Sequence, residues 1–280
     1  MVAFPPCPSE ARAAAEAACG GPVELKELTN RRGSAVWKAT GPTRAVAVKT
    51  GYDDGVSVTV REAAMLTALP GHEVTAGRYD DGAWLVTPWH DGPSTWKTFT
   101  AARAGDGDRK PALRAAVELC RAVADLHASG WIHADLQPAH GIHTPVGVRL
   151  IDFAWSRPEP HGAVDGYRGG IVHLMAPELA VAARDKQPVL ATRHSDAYAL
   201  AGALWTCASG AWPLDYEAAG LDRQAAGQDG IRDAIADGGI PLSPPTWPEF
   251  HNALRPALTA LPEHRPTAVE LAQVLLNVQA

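Results

Sequence analysis

Two aspartates seventeen residues apart, Asp135 and Asp152, follow short runs rich in β-forming residues, 131–133 (Trp-Ile-His) and 148–151 (Val-Arg-Leu-Ile). Two such strands with a short connection are expected to bring the carboxylates together. The remainder of the chain reads as machinery for presenting something to this stretch.

The surroundings divide by pattern. Residues 1–22 start proline-rich, continue as an alanine-rich segment capable of a helix and stop at Gly20-Gly21-Pro22. They form an N-terminal extension with no chemical role assigned. Residues 23–91 read as strands with one inserted helix. Runs 35–39 and 45–50 flank a Gly41-Pro42 turn as a hairpin, and 83–89 is a further strand. The helical stretch carries Glu62 beside an apolar face of Ala63, Met65, Leu66 and Leu69. Residues 92–280 turn helical, most clearly at 111–129, where Leu113, Val117, Leu119, Cys120, Val123 and Leu126 make an apolar stripe that Gly130 terminates. Beyond Asp152, a segment with Pro158, Pro160, Gly162, Gly166, Gly169 and Gly170 reads as a loop.

The segment His133-Ala134-Asp135-Leu136-Gln137-Pro138-Ala139-His140, followed by Asp152-Phe153-Ala154, resembles the catalytic loop and metal-binding motif of the protein kinase family, HRDLKxxN and DFG. Ala134, Gln137, His140 and Ala154 replace the family's arginine, lysine, asparagine and glycine, while both aspartates remain. Further landmarks follow in the family's order. Ala47-Val48-Lys49 is similar to its lysine-bearing strand, and Met175-Ala176-Pro177-Glu178 to its APE. The segments around Asp196 and Arg265 are similar to its later landmarks.

The resemblance implies an α+β, bilobal fold: a β-rich N-terminal lobe with one helix (23–91) and a mainly helical C-terminal lobe (92–280). ATP is then the expected nucleotide, lying under Val36 and Ala47 and above Ile142, with Gly33 and Ser34 in a reduced glycine loop. Thr87 falls near the gatekeeper and Trp89 in the hinge. Lys49, paired with Glu62, is expected on the phosphates. Asp135 is implied as the proton acceptor, and Asp152 and His140 as ligands of Mg2+ or, since imidazole is a softer donor than an amide oxygen, Mn2+. His133, Phe153 and Leu66 are assigned to packing. By the same resemblance Glu178 pairs with Arg265, and Asp196 anchors the catalytic-loop backbone.

Composition narrows the partners. A net charge of −6 without a basic stripe argues against nucleic acid. No apolar run reaches the roughly 18 residues of a membrane span. Cys7, Cys19, Cys120 and Cys207 lack metal-site spacing and point to a reducing cytoplasm. The retained APE and late arginine favour a serine or threonine hydroxyl of a peptide or protein substrate. One finer reading is a peptide-modification pathway, in which the phosphate leaves during dehydration by a partner enzyme. The alternatives are a pseudokinase that binds nucleotide as a scaffold, suggested by the reduced glycine loop, and a small-molecule phosphotransferase of aminoglycoside type.

Overall fold

A computed structural model describes residues 6–31, 33–105, 107–160 and 170–279. Arg32 of the expected glycine loop and Gly162, Gly166 and Gly169 of the expected activation segment lie outside the described residues. The chain divides into two units, Met1–His90 and Asp91–Ala280. The architecture is α+β: an N-terminal antiparallel sheet followed by a mostly helical part.

The first unit begins with α1 (Ser9–Cys19), then β1 (Glu24–Arg31), β2 (Ser34–Thr40) and β3 (Ala45–Gly51). Helix α2 (Gly55–Ala68) follows, then β4 (Thr75–Tyr79) and β5 (Gly82–Pro88). The strands form a five-stranded sheet in the order β1-β2-β3-β5-β4. Because side chains alternate along a strand, Ala35, Trp37, Ala39, Val46, Val48, Trp84 and Val86 face one way and are buried with Ala11, Ala15 and Cys19 of α1. The alanine-rich extension is thus part of this unit. Its small side chains let the helix lie close on the sheet, and Gly20 closes it in the left-handed conformation, φ 73°.

The second unit opens with two short helices, α3 (Thr95–Thr98) and α4 (Thr100–Ala104), and the long α5 (Lys110–Ala128). The buried stripe of α5 includes Ala112, Ala116, Leu119, Cys120, Val123 and Leu126. Gly130 follows at φ 81°, which lets the chain turn directly into β6 (Trp131–Ile132). Strands β7 (Gly141–Thr144) and β8 (Gly147–Leu150) pair as a hairpin, and β9 (Arg157–Pro158) pairs with β6. Then come α6 (Pro177–Arg184), α7 (Arg193–Ser209), α8 (Arg223–Asp237), α9 (Pro248–Thr259) and α10 (Ala268–Leu276). Helix α7 is the hub, with Tyr198, Leu200, Leu204 and Trp205 fully buried. It is started by a capping box between Thr192 and Ser195. No helix among the described residues is long and apolar enough to cross a membrane.

Candidate active site

In the first unit the strand register gathers four of the expected nucleotide residues. Val36 lies opposite Lys49, and Lys49 opposite Leu85; Ala47 lies opposite both Lys38 and Thr87. Directly paired residues share a face, so Val36, Ala47, Lys49 and Thr87 project from the face that α1 does not cover. Lys49 Nζ sits 2.5 Å from Glu62 Oε2, with the Glu62 side chain only 6% exposed. The sequence pattern puts the apolar face of α2 at Ala63, Met65, Leu66 and Leu69; Leu66 and Leu69 are buried, and the buried line of the helix also runs through Gly55, Thr59 and Glu62. A carboxylate can occupy that line because a cation meets it there.

Gly33, at φ 73°, is held by contacts of its own. Its carbonyl accepts from Tyr52 N at 2.8 Å, and a Cβ there would lie 2.6 Å from Tyr52 O and 2.8 Å from Gly55 N. The turn is therefore fastened to the start of α2, and Ser34 begins β2 opposite Gly51. Trp89 donates its backbone N–H to Ala45 O, and Lys38 Nζ stands 4.7 Å from the Trp89 ring centroid.

In the second unit the loop after β6 hangs from Asp196 on α7. Its carboxylate accepts from the backbone N–H groups of His133 and Ala134, each at 2.8 Å, and from His127 Nε2 at 3.0 Å. Ala134 is thereby held at φ 62° and Asp152 lies at φ 69°, left-handed conformations that cost a non-glycine residue roughly 1–2 kcal/mol. His133 joins the two aspartate-bearing stretches. Its Nε2–H donates to the Ile151 carbonyl at 3.1 Å, and its Nδ1 accepts from Asp135 N at 3.3 Å. Burial pushes the imidazole down to about 4, so it is neutral, and it packs on Phe153 with ring centroids 5.0 Å apart.

Asp135, His140 and Asp152 converge, each offering a ligand atom within 4.8 Å of the others. The Asp135 carboxylate accepts from Gln137 Nε2 at 2.7 Å through Oδ1. His140 Nδ1 lies 2.7 Å from the Asp135 backbone carbonyl. A carbonyl can only accept, so Nδ1 carries a proton, and in the neutral ring Nε2 holds the lone pair. That Nε2 points to Asp152 Oδ2 at 3.6 Å. Ile142, in β7, pairs with Arg149 and bridges to Ser94.

Three contributors escape the sequence pattern. His127 reads as one more residue of α5, yet its ring completes the Asp196 anchor. Gln137, read only as a missing charge, orients Asp135. Gly170, read as a loop glycine, approaches the Asp135 carboxylate so closely that a Cβ would fall 1.6 Å from Oδ1. Away from this loop, Arg265 binds Glu178 through two hydrogen bonds, 2.7 and 2.8 Å.

No family model matches the chain. It is 29% identical over 197 residues to a protein of Thermomonospora curvata named as a serine/threonine-protein kinase, PkwA, covering 68% of this chain and 24% of that protein. It is 30% identical over 171 residues to a protein of Oryza sativa subsp. japonica named as cyclin-dependent kinase F-2, covering 55% of this chain and 52% of that protein. The chain thus spans about a quarter of the first relative and about half of the second.

Proposed function

We propose, from the premise that this chain belongs to the protein kinase-like superfamily its two relatives support, that it transfers a phosphoryl group from ATP to a serine or threonine hydroxyl of a protein or peptide. The observation that carries the reading is the convergence of Asp135, His140 and Asp152 on a loop whose backbone is pinned by Asp196.

Asp135 is the group suited to take the hydroxyl proton. Gln137 fixes its rotamer through Oδ1, and a positioned base of this kind contributes about 10²- to 10⁴-fold in rate. Asp152 is the oxygen donor suited to Mg2+, and His140 adds a ring nitrogen that Mn2+ tolerates better. In the first unit Lys49, steadied by Glu62, is the cation suited to phosphate oxygens. ATP supplies the phosphoryl group, and the metal ion neutralises its charge. A protein substrate is favoured by the likeness to the Thermomonospora curvata serine/threonine-protein kinase and by the Glu178–Arg265 pair. Within this reading, the finer use is a peptide-modification pathway with a partner enzyme that eliminates the phosphate.

A scaffold reading draws on Gly33, whose close packing on Tyr52 and Gly55 is by itself enough to require a glycine there. Incubation with γ-labelled ATP, Mg2+ or Mn2+ and a denatured-protein substrate mixture separates the two. Label on serine or threonine supports transfer. Nucleotide binding without label supports the scaffold.

A further inference from the structure

We infer that Asp135, His140 and Asp152 form a nucleotide-independent site for a borderline-soft divalent cation such as Zn2+, and that filling it takes Asp135 out of use as a base. The inference concerns the same side chains as the proposed transfer reaction. It differs in making Asp135 itself a ligand.

Four observations support it. The His140 tautomer is set by its 2.7 Å hydrogen bond to the Asp135 carbonyl, the arrangement by which an outer partner presents the other ring nitrogen to a metal. The side chain is 10% exposed, so that nitrogen is aimed inward at the carboxylates and away from bulk water. The Nε2 to Asp152 Oδ2 separation, 3.6 Å, is too long for a hydrogen bond. It is close to the roughly 3.4 Å that separates two ligands of one tetrahedral zinc with bonds of about 2.1 Å. Finally, all three ligand atoms fall within 4.8 Å of one another, so movements of about an ångström would close them on a single ion.

The donor set decides the class of cation. One neutral imidazole and two carboxylates suit zinc and its neighbours in the first transition row. Magnesium dehydrates reluctantly, demands an octahedron of oxygens and gains little from a ring nitrogen. Three protein ligands leave a fourth position to water or substrate. Once Asp135 is coordinated, its carboxylate is committed to the ion and cannot take a proton from a hydroxyl. Zinc would therefore hold the chain silent until a chelator removed it.

Calorimetric titration of the metal-free chain with Zn2+, without nucleotide, together with Co2+ absorption in the visible region, tests this. One site per chain with a tetrahedral cobalt spectrum is expected, and millimolar Mg2+ should not displace the ion. Losing even an outer partner of a metal ligand typically weakens binding about 10- to 100-fold. Asp135→Asn and His140→Asn should each therefore weaken zinc by about 100-fold, while circular dichroism shows them folded. His140→Gln serves if His140→Asn does not fold. Zinc affinity unchanged in Asp135→Asn, or no saturable zinc binding, overturns the inference. The two readings fail separately: phosphate transfer by zinc-free protein that binds no zinc removes only this one. Zinc binding without transfer under any metal removes the proposed reaction and the silencing with it, and leaves the zinc site standing.

Discussion

Arg265 and Glu178, 87 residues apart in sequence, meet in a two-pronged ion pair with the arginine side chain only 3% exposed. The guanidinium also donates to the His194 and Ala260 carbonyls and lies 5.1 Å from the Tyr198 ring centroid. It thus ties the start of α6 to α7 and to the segment before α10. Breaking a fully buried pair by removing one partner costs about 3–5 kcal/mol, and because Glu178 is 30% exposed and can take up water the cost here falls to about 2–3 kcal/mol. Arg265→Ala should lower the unfolding free energy in urea by that order. Arg265→Lys should recover only part, because an ammonium cannot reproduce the planar fork. A change below about 1 kcal/mol in Arg265→Ala would show that the pair is dispensable.

Lys49 and Glu62 invite the opposite expectation from an exposed pair. Glu62 lies on the buried line of α2, so Lys49→Met removes the cation nearest to a carboxylate that has little access to water. The expected result is a thermal midpoint lowered by several degrees and a weaker affinity for ATP. Glu62→Gln, which keeps the shape and removes the charge, should destabilise less while leaving the lysine poorly placed. Calorimetry and nucleotide titration on the two variants check this. An unaltered midpoint in Lys49→Met would contradict it.

Acid should loosen the second unit. Burial lowers His133 to about 4, and burial followed by the nearby Arg223 lowers His173 to about 4, against an ordinary value near 6.5. The unfolded chain therefore takes up protons that the folded chain refuses as pH falls from about 6.5 to 4. Stability is fully present above that window, declines through it and loses nothing more from these groups below it. For fully buried His133 the loss is on the order of 3 kcal/mol. His173 stacks on Trp212 at 4.5 Å and bonds Tyr216, and being part-exposed it adds less. Urea unfolding of wild type and His173→Phe at pH 7.5 and 5.0 should show a smaller pH difference in the variant. Equal differences would remove His173 from this account.

How much of this was legible before the fold follows from which interactions are local. The hairpin 35–39 and 45–50, the stripe of α5 and the short strands that precede Asp135 and Asp152 rest on alternation, periodicity and turn residues, and all appear in the fold. The inward turn of Glu62 does not follow from periodicity, because a charged residue scores as outward unless its partner on another strand is known. Nor does the Gly170 approach to Asp135, which brings together residues 35 positions apart. The tautomer of His140 depends on a backbone carbonyl that no residue identity reveals. The docking of α1 was undetermined because alanines fit a packed helix as readily as a solvated one.

The role of Asp135 is tested most directly by single-turnover transfer from γ-labelled ATP, comparing wild type with Asp135→Asn under matched nucleotide saturation. An asparagine preserves the shape and can still meet Gln137 through its amide oxygen, but it is no longer a base. The expected result is a transfer rate reduced by about 10²- to 10⁴-fold with ATP affinity within a few-fold of wild type. Wild-type transfer by Asp135→Asn would contradict the assignment of this carboxylate as the proton acceptor.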